Sequence, residues 1–233
     1  TRALSKLAGR VYAYEIDRDL RPVLAETLAG CENTEVIFRD FSKENLGELY
    51  REIGEYTVVA NLPYYVTTPI VTRLLEEGAG VRGVCVMVQQ EVAERFAAKE
   101  DTPEYGAITA AIALRGTAKI VKKVGRNMFY PAPNVDSAVV KIDFTENALP
   151  VKDKDMYRKT VRCAFLNRRK TLENNLMKSF SFSRETAAEI FLDGQRVELL
   201  RPVLILLTTP AGFLTAADDP RQKTVMELIP ERW

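Results

Sequence analysis

The stretch VVANLPYYVTTPI, Val58 to Ile70, passes from an apolar strand through an amide, a proline and two tyrosines into a helix. Val58, Val59 and Ala60 read as the end of a buried strand. Asn61 to Tyr65 then stand at its carboxyl end, where open α/β sheets place their ligands. An exposed amide beside two aromatic rings is an unusual exit from a core, and the reading of the chain starts from it.

On both sides of this stretch, strand-like and helix-like segments alternate. VYAYEI (Val11 to Ile16) reads as a strand and RDLRPVLAETLA (Arg18 to Ala29) as a helix. EVIFRD (Glu35 to Asp40) is the next strand, and SKENLGELYREIG (Ser42 to Gly54) a helix with Ser42 as its N-cap. YTVVAN is followed by a helix over TTPIVTRLLEEG (Thr67 to Gly78), closed by Gly78, and the apolar strand GVCVMVQ (Gly83 to Gln89) by the helix QEVAERFAAK. This alternation predicts α/β architecture with a doubly wound parallel sheet. TAKIVKKV (Thr117 to Val124) and SAVVKIDF (Ser137 to Phe144) have no helix between them and are expected to pair antiparallel at the sheet edge. After Pro150 the pattern is helical, which puts a domain boundary near residues 147 to 152.

Composition narrows the chemistry. The chain has 233 residues, 46% of them hydrophobic, and no apolar run long enough to span a bilayer. Polar and charged residues punctuate the first ten positions, unlike a signal peptide. Cys31, Cys85 and Cys163 lie far apart, a spacing that suits a reducing cytoplasm and not a zinc site. Histidine is absent, so Ser-His and Cys-His catalysis and histidine-ligated metals are excluded. The net charge is only +1, yet residues 118 to 178 hold 14 basic against 6 acidic side chains. Such a block points to a polyanionic partner meeting one face, with a solvated lysine-rich surface as the alternative.

Glu15 ends one strand, Asp40 the next, and Asn61 the third. A carboxylate accepts from both hydroxyls of a ribose, and a second can accept from an adenine amino group, so the set favours an adenosine-bearing cofactor. The amide suits work on the exocyclic amine of a nucleobase, whose lone pair is delocalised into the ring. The Asn61 amide oxygen and the Leu62 carbonyl can each accept an amine hydrogen and so aim the lone pair. Pro63 stiffens the turn, and Tyr64 offers a face for an extruded base, a contact worth roughly 1–3 kcal/mol. Alignment and proximity then do the work without histidine. The alternative is a strand-to-helix turn with a packing tyrosine.

NLPYYVTTPI resembles motif IV of the RNA adenine-N6 dimethyltransferases, and VYAYEIDRDL their acidic ribose-binding strand. QQEVAERFAAKEDTPEYGAITAAIAL resembles the helix, loop and helix that follow their fifth strand, and FYPAPNVDSAVVKI their F-x-P-x-P-x-V-x-S segment. VRCAFLNRRKTLENNL resembles the start of the helical domain of the KsgA family of small-subunit rRNA dimethyltransferases. The resemblance implies a Rossmann-like S-adenosylmethionine-dependent methyltransferase sheet with a small C-terminal all-α domain. Residues 1–148 would be catalytic and 149–233 a helical RNA-binding domain. The implied reaction is dimethylation, in ribosome biogenesis, of N6 of two adjacent adenosines near the 3′ end of small-subunit rRNA. S-adenosyl-L-methionine is the implied donor and the immature small ribosomal subunit the partner of a cytoplasmic monomer.

Carried over by position, Glu15 with Ile16 beside it would bind the cofactor ribose and Asp40 its adenine. Asn61 would serve both cofactor and target amine, and Tyr64 and Phe129 would sandwich the target base. Lys119, Lys122, Lys123, Arg126, Arg158, Arg162, Arg168, Arg169 and Lys170 are the expected grips on rRNA phosphates. Otherwise NRRK is a solvated helix start, or neutralises Asp153 and Asp155. The family's first strand and Gly-rich loop have no counterpart, TRAL resembling the text just after that loop, and residues 198–220 do not resemble its final helix. Two other readings stay open. One is an Erm-type enzyme acting on large-subunit rRNA; the other is a non-catalytic RNA-binding assembly factor.

Overall fold

The computed structural model describes residues 1–100, 102–145, 148–167, 172–183 and 185–186. The chain forms two compact units: Thr1–Gly54 with Glu77–Ala79, and Glu55–Glu76 with the chain from Gly80 onward.

The first unit holds α1 (Arg2–Ser5), β1 (Val11–Tyr14), α2 (Arg21–Thr27), β2 (Thr34–Ile37) and α3 (Leu46–Ile53). β1 and β2 pair in parallel, from Val11 opposite Thr34 to Tyr14 opposite Ile37. Both strands stop short of their expected ends, β1 where the Glu15 side chain takes over the backbone and β2 at Ile37, whose carbonyl accepts the Arg39 amide at 3.0 Å. Glu15 Oε1 accepts the amides of Ile16 (2.8 Å) and Asp17 (2.9 Å). Asp40 Oδ1 accepts the Ser42 amide and caps a short 3-10 turn over Phe41–Lys43. Such local bonds compete with ladder and helix alike. They also displace the expected helix cap: Ser42 donates to Asp40, and it is Asn45 that caps α3, accepting from Gly47 and Glu48 at 3.1 Å each.

The second unit holds β3 (Tyr56–Asn61), α4 (Tyr64–Glu77), β4 (Val81–Gln89), α5 (Gln90–Phe96), α6 (Ala107–Arg115), β5 (Gly116–Val124), β6 (Ser137–Phe144), α7 (Lys154–Ala164) and α8 (Leu172–Phe180). Its sheet runs β3-β4-β6-β5. β3 and β4 are parallel, while β6 is antiparallel to both β4 and β5. The expected antiparallel pair is present, with β5 outermost and β6 inside. The expectation of one doubly wound parallel sheet is corrected: the described strands form a parallel pair and a separate mixed sheet.

Central position explains the composition of the strands. Val84, Val86 and Val88 of β4 and Ala138, Val140 and Ile142 of β6 are fully buried, each large side chain contributing roughly 1.5–3 kcal/mol. Edge strand β3 instead alternates, and Val59, expected inside, is 49% exposed. α4 starts at Tyr64, three residues before the expected Thr67, because the Pro63 carbonyl accepts the Val66 amide and the Thr67 hydroxyl, both at 3.1 Å. The left-handed glycine beyond that helix is Gly80 (φ 70°), and Gly78 is not left-handed.

Two of the contacts that dock the C-terminal helices involve buried polar groups. Tyr157 of α7 is buried among Ala110, Leu114 and Val161, and its hydroxyl donates to the Ala110 carbonyl of α6 at 3.0 Å. Asn175 of α8, 1% exposed, donates to the carbonyls of Ala164 (3.1 Å) and Asn167 (3.3 Å) and accepts from Asn167 Nδ2. The expected third helix, SRETAAEIFL, and the tail at 198–220 lie largely or wholly outside the described residues. Replacing Asn175 with alanine strands several polar groups at once, each costing about 1–3 kcal/mol when buried. We expect Asn175→Ala to lower the midpoint of urea unfolding by an amount equivalent to about 3 kcal/mol, with helix α7 losing amide-exchange protection.

Candidate active site

Strand register gathers the site in the second unit. Asn61 pairs with Met87 near the end of β4, Gln89 pairs with Ser137, and Ser137 pairs with Val124. The carboxyl ends of β3, β4 and β5 and the amino end of β6 therefore share one sheet edge. From it leave Asn61–Tyr64, the β4–α5 junction and the loop 125–136.

Asn61 and Pro63 are exposed, and Leu62 and Tyr64 half-buried. The Tyr64 hydroxyl lies 2.7 Å from Ser137 Oγ. Phe129 is half-buried, between Met128 and Tyr130, which are 74% and 102% exposed. Its loop is fixed at both ends by Asp136, whose Oδ1 accepts the Arg126 amide (2.8 Å) and whose carbonyl accepts the Gln90 amide (2.9 Å). The structure thus brings Asn61, Leu62, Pro63, Tyr64 and the Phe129 loop to one edge. Asp136 and Ser137 join them there without having been expected as site residues, although both stand in the segment FYPAPNVDSAVVKI. A serine between a charged residue and an apolar strand is the signal that the sequence offers for them.

In the first unit, Glu15 and Asp40 stand at the carboxyl edge of the parallel pair. The Glu15 amide donates to Ile37 O at 3.0 Å, and the rings of Tyr14 and Phe41 meet edge to face at 5.1 Å. Glu15 Oε1 accepts its own loop amides. Ile16 beside it is 69% exposed. Asp40 Oδ1 accepts from the Ser42 hydroxyl at 2.6 Å as well as its amide, and Lys43 Nζ stands 3.8 Å from Oδ2. The Ser42 hydroxyl, then its amide and Lys43, hold the Asp40 carboxyl below its ordinary value. A fixed acceptor, an exposed apolar side chain and a carboxylate held below its ordinary value fit the sugar and base of a nucleoside.

The basic residues fall into two sets. Lys119, Lys122 and Lys123 are exposed on edge strand β5, whose register shifts between Ile120 and Lys122, and Arg126 is exposed in the turn that follows. Arg158 and Arg162 of α7 line a groove of about 490 Å³ with Glu76, Asp155, Lys159, Cys163, Leu166 and Ser179. There Arg158 pairs with Asp155 at 2.7 Å, Arg162 pairs with Glu76, and Lys159 Nζ sits 4.7 Å from the centre of the Phe180 ring. Asp153 caps α7 through the Asp155 and Met156 amides, so it and Asp155 have partners without NRRK. Arg168, Arg169 and Lys170 lie outside the described residues.

The ribosomal RNA adenine dimethylase family model matches residues 1–208. The chain belongs to this family. Ribosomal RNA small subunit methyltransferase A of Geobacillus thermodenitrificans is 43% identical over 197 residues, covering 82% of this chain and 67% of that protein. Its counterpart in Bacillus licheniformis is 41% identical over 208 residues, covering 84% and 71%. This chain thus spans about two thirds of the length of these relatives. Among solved structures, a dimethyladenosine transferase from Plasmodium falciparum superposes with a TM-score of 0.63 at 25% identity, over 82% of this chain and 65% of that one. The 23S rRNA methyltransferase ErmE superposes with a TM-score of 0.60 at 27% identity, over 82% and 75%. The Rossmann-like methyltransferase fold and the motif-based resemblance are borne out, and at the level of the family so is the reading as an rRNA adenine dimethyltransferase.

The bonds to Asp40 carry a prediction. A carboxyl held below its ordinary value stabilises the fold while ionised, and that contribution is lost as pH falls through the lowered value. Ser42→Ala removes the largest cause, so the Asp40 pKa should rise toward its ordinary value and the stability lost on acidification should be smaller and complete at higher pH; a carbon-13 NMR titration of the carboxyl group checks it.

Proposed function

We infer that this chain dimethylates N6 of two adjacent adenosines near the 3′ end of small-subunit rRNA, acting on the immature small ribosomal subunit in the cytoplasm. The observation that carries the reading is the convergence of Asn61–Tyr64 and the Phe129 loop on one sheet edge, in a chain without histidine. Identity of 41–43% to proteins named for the small subunit, against 27% to ErmE, favours this substrate over large-subunit rRNA. Residues 1–148 are assigned to catalysis and 149–233 to RNA binding.

Glu15 and Ile16 would hold the ribose and Asp40 the adenine of S-adenosylmethionine, which supplies an electrophilic methyl group when bound. Asn61 Oδ1 and the Leu62 carbonyl accept the two hydrogens of the target amine, drawing its nitrogen out of conjugation and aiming the lone pair. Pro63 fixes the turn, and Tyr64 and Phe129 receive the adenine between them. These contacts strengthen as the nitrogen becomes tetrahedral, so they act on turnover more than on binding. Lys119, Lys122, Lys123, Arg126, Arg158, Arg162, Arg168, Arg169 and Lys170 grip phosphates, which positions the RNA without choosing the base.

Three measurements test this. Asn61→Ala should lower kcat for methyl transfer roughly 10²-fold or more, with KM for RNA little changed. Mapping the methylated adenosines on immature small subunits tests the substrate, and methylation confined to large-subunit rRNA would sink it. Reversing Arg168 and Arg169 to glutamate should weaken RNA binding and flatten its salt slope by about one for each phosphate no longer neutralised. An unchanged affinity and salt slope would remove these residues from the RNA-binding surface.

A further inference from the structure

Ser137 opens β6 and is 0% exposed. The strand continues through the buried apolar residues Ala138, Val140 and Ile142, so packing alone would be served by alanine here. A buried hydroxyl is costly unless it is bonded. Among the described residues, the partner of Ser137 is the phenol of Tyr64, 73 positions earlier in the chain. Tyr64 is therefore held at both ends. Its backbone is fixed as the first residue of α4 by the bonds converging on Pro63 O, and the far end of its ring is fixed by Ser137. The residue before Ser137 makes the two bonds that anchor the Phe129 loop.

The geometry points to Ser137 as a positioning residue for methyl transfer: its hydroxyl holds the far end of the Tyr64 ring on which the target adenine stacks, while its neighbour Asp136 sets the Phe129 loop. This rests on Tyr64 receiving the base, as proposed above. Stacking itself needs only the ring face, and a phenylalanine retains that face. The hydroxyl is needed to pin the far end of the ring; without it the side chain swings about its Cα–Cβ bond and carries the adenine amine away from Asn61 and Leu62. Loss of the bond should therefore reduce turnover and spare RNA affinity, because the RNA is gripped through its phosphates elsewhere.

The test is a double-mutant cycle on the full chain, with Ser137→Ala, Tyr64→Phe and both together, assayed on immature small subunits for kcat, for KM and for thermal midpoint. Each single change should lower kcat about five- to tenfold, the scale of one hydrogen bond, with KM for RNA within about twofold of wild type. The double variant should be no slower than the slower single variant, since both remove one bond. Single variants with unaltered kcat per folded molecule, whatever their thermal midpoints, would overturn the positioning role, as would losses that multiply in the double variant. Wild-type protein that transfers no methyl group to adenosine would overturn the functional reading, and this inference with it; the wild-type arm separates the two failures.

Discussion

β6 lies antiparallel between β4 and β5, and the geometry of the candidate site depends on that pairing. Because β6 runs opposite to its neighbours, its first residue meets the last residues of both, Gln89 on one side and Val124 on the other. The segment entering β6 must then pass over the carboxyl ends of the strands. A parallel strand in that place would have delivered its first residue to the opposite edge, far from Asn61. One inverted strand thus lets a loop distant in sequence meet the Asn-Leu-Pro-Tyr turn.

The parallel pair solves a different problem with the same material. Glu15, just past β1, and Asp40, three residues past β2, each bond their own following amides and commit one oxygen in doing so. A carboxylate on a free side chain would sample many rotamers, and ordering it would cost conformational entropy on binding. Here the bonds to the following amides have already fixed the group.

Much of this is legible in the sequence. The apolar runs of β4 and β6, the antiparallel pairing of residues 117–124 with 137–144 and the placement of Asn61 at a strand end all follow from pattern. The errors have a common physical source. Periodicity does not register a side chain bonding to its own backbone, so Ser42 looks like a helix cap and β1 seems to run through Glu15. Val59 reads as interior because an apolar residue in a strand carries no mark of whether that strand is central or at an edge. Ser137 and Asn175 are illegible for another reason. A buried polar residue is identified by its partners in space, and here those partners are Tyr64 for Ser137, and Asn167 with Ala164 for Asn175.

The inverted strand also has a cost in time. β4 ends at Gln89 and β6 begins at Ser137, so about 50 residues separate the strand from its second neighbour. At synthesis rates of roughly 5–20 residues per second, β4 waits several seconds on the ribosome with one side paired to β3 and the other open. It is the most apolar strand of the sheet, and its backbone groups on that side have no partner in the interval. Long-range antiparallel closure is slow in any case. The nascent chain is therefore most prone to wrong pairing in the window between the emergence of Gln89 and that of Phe144.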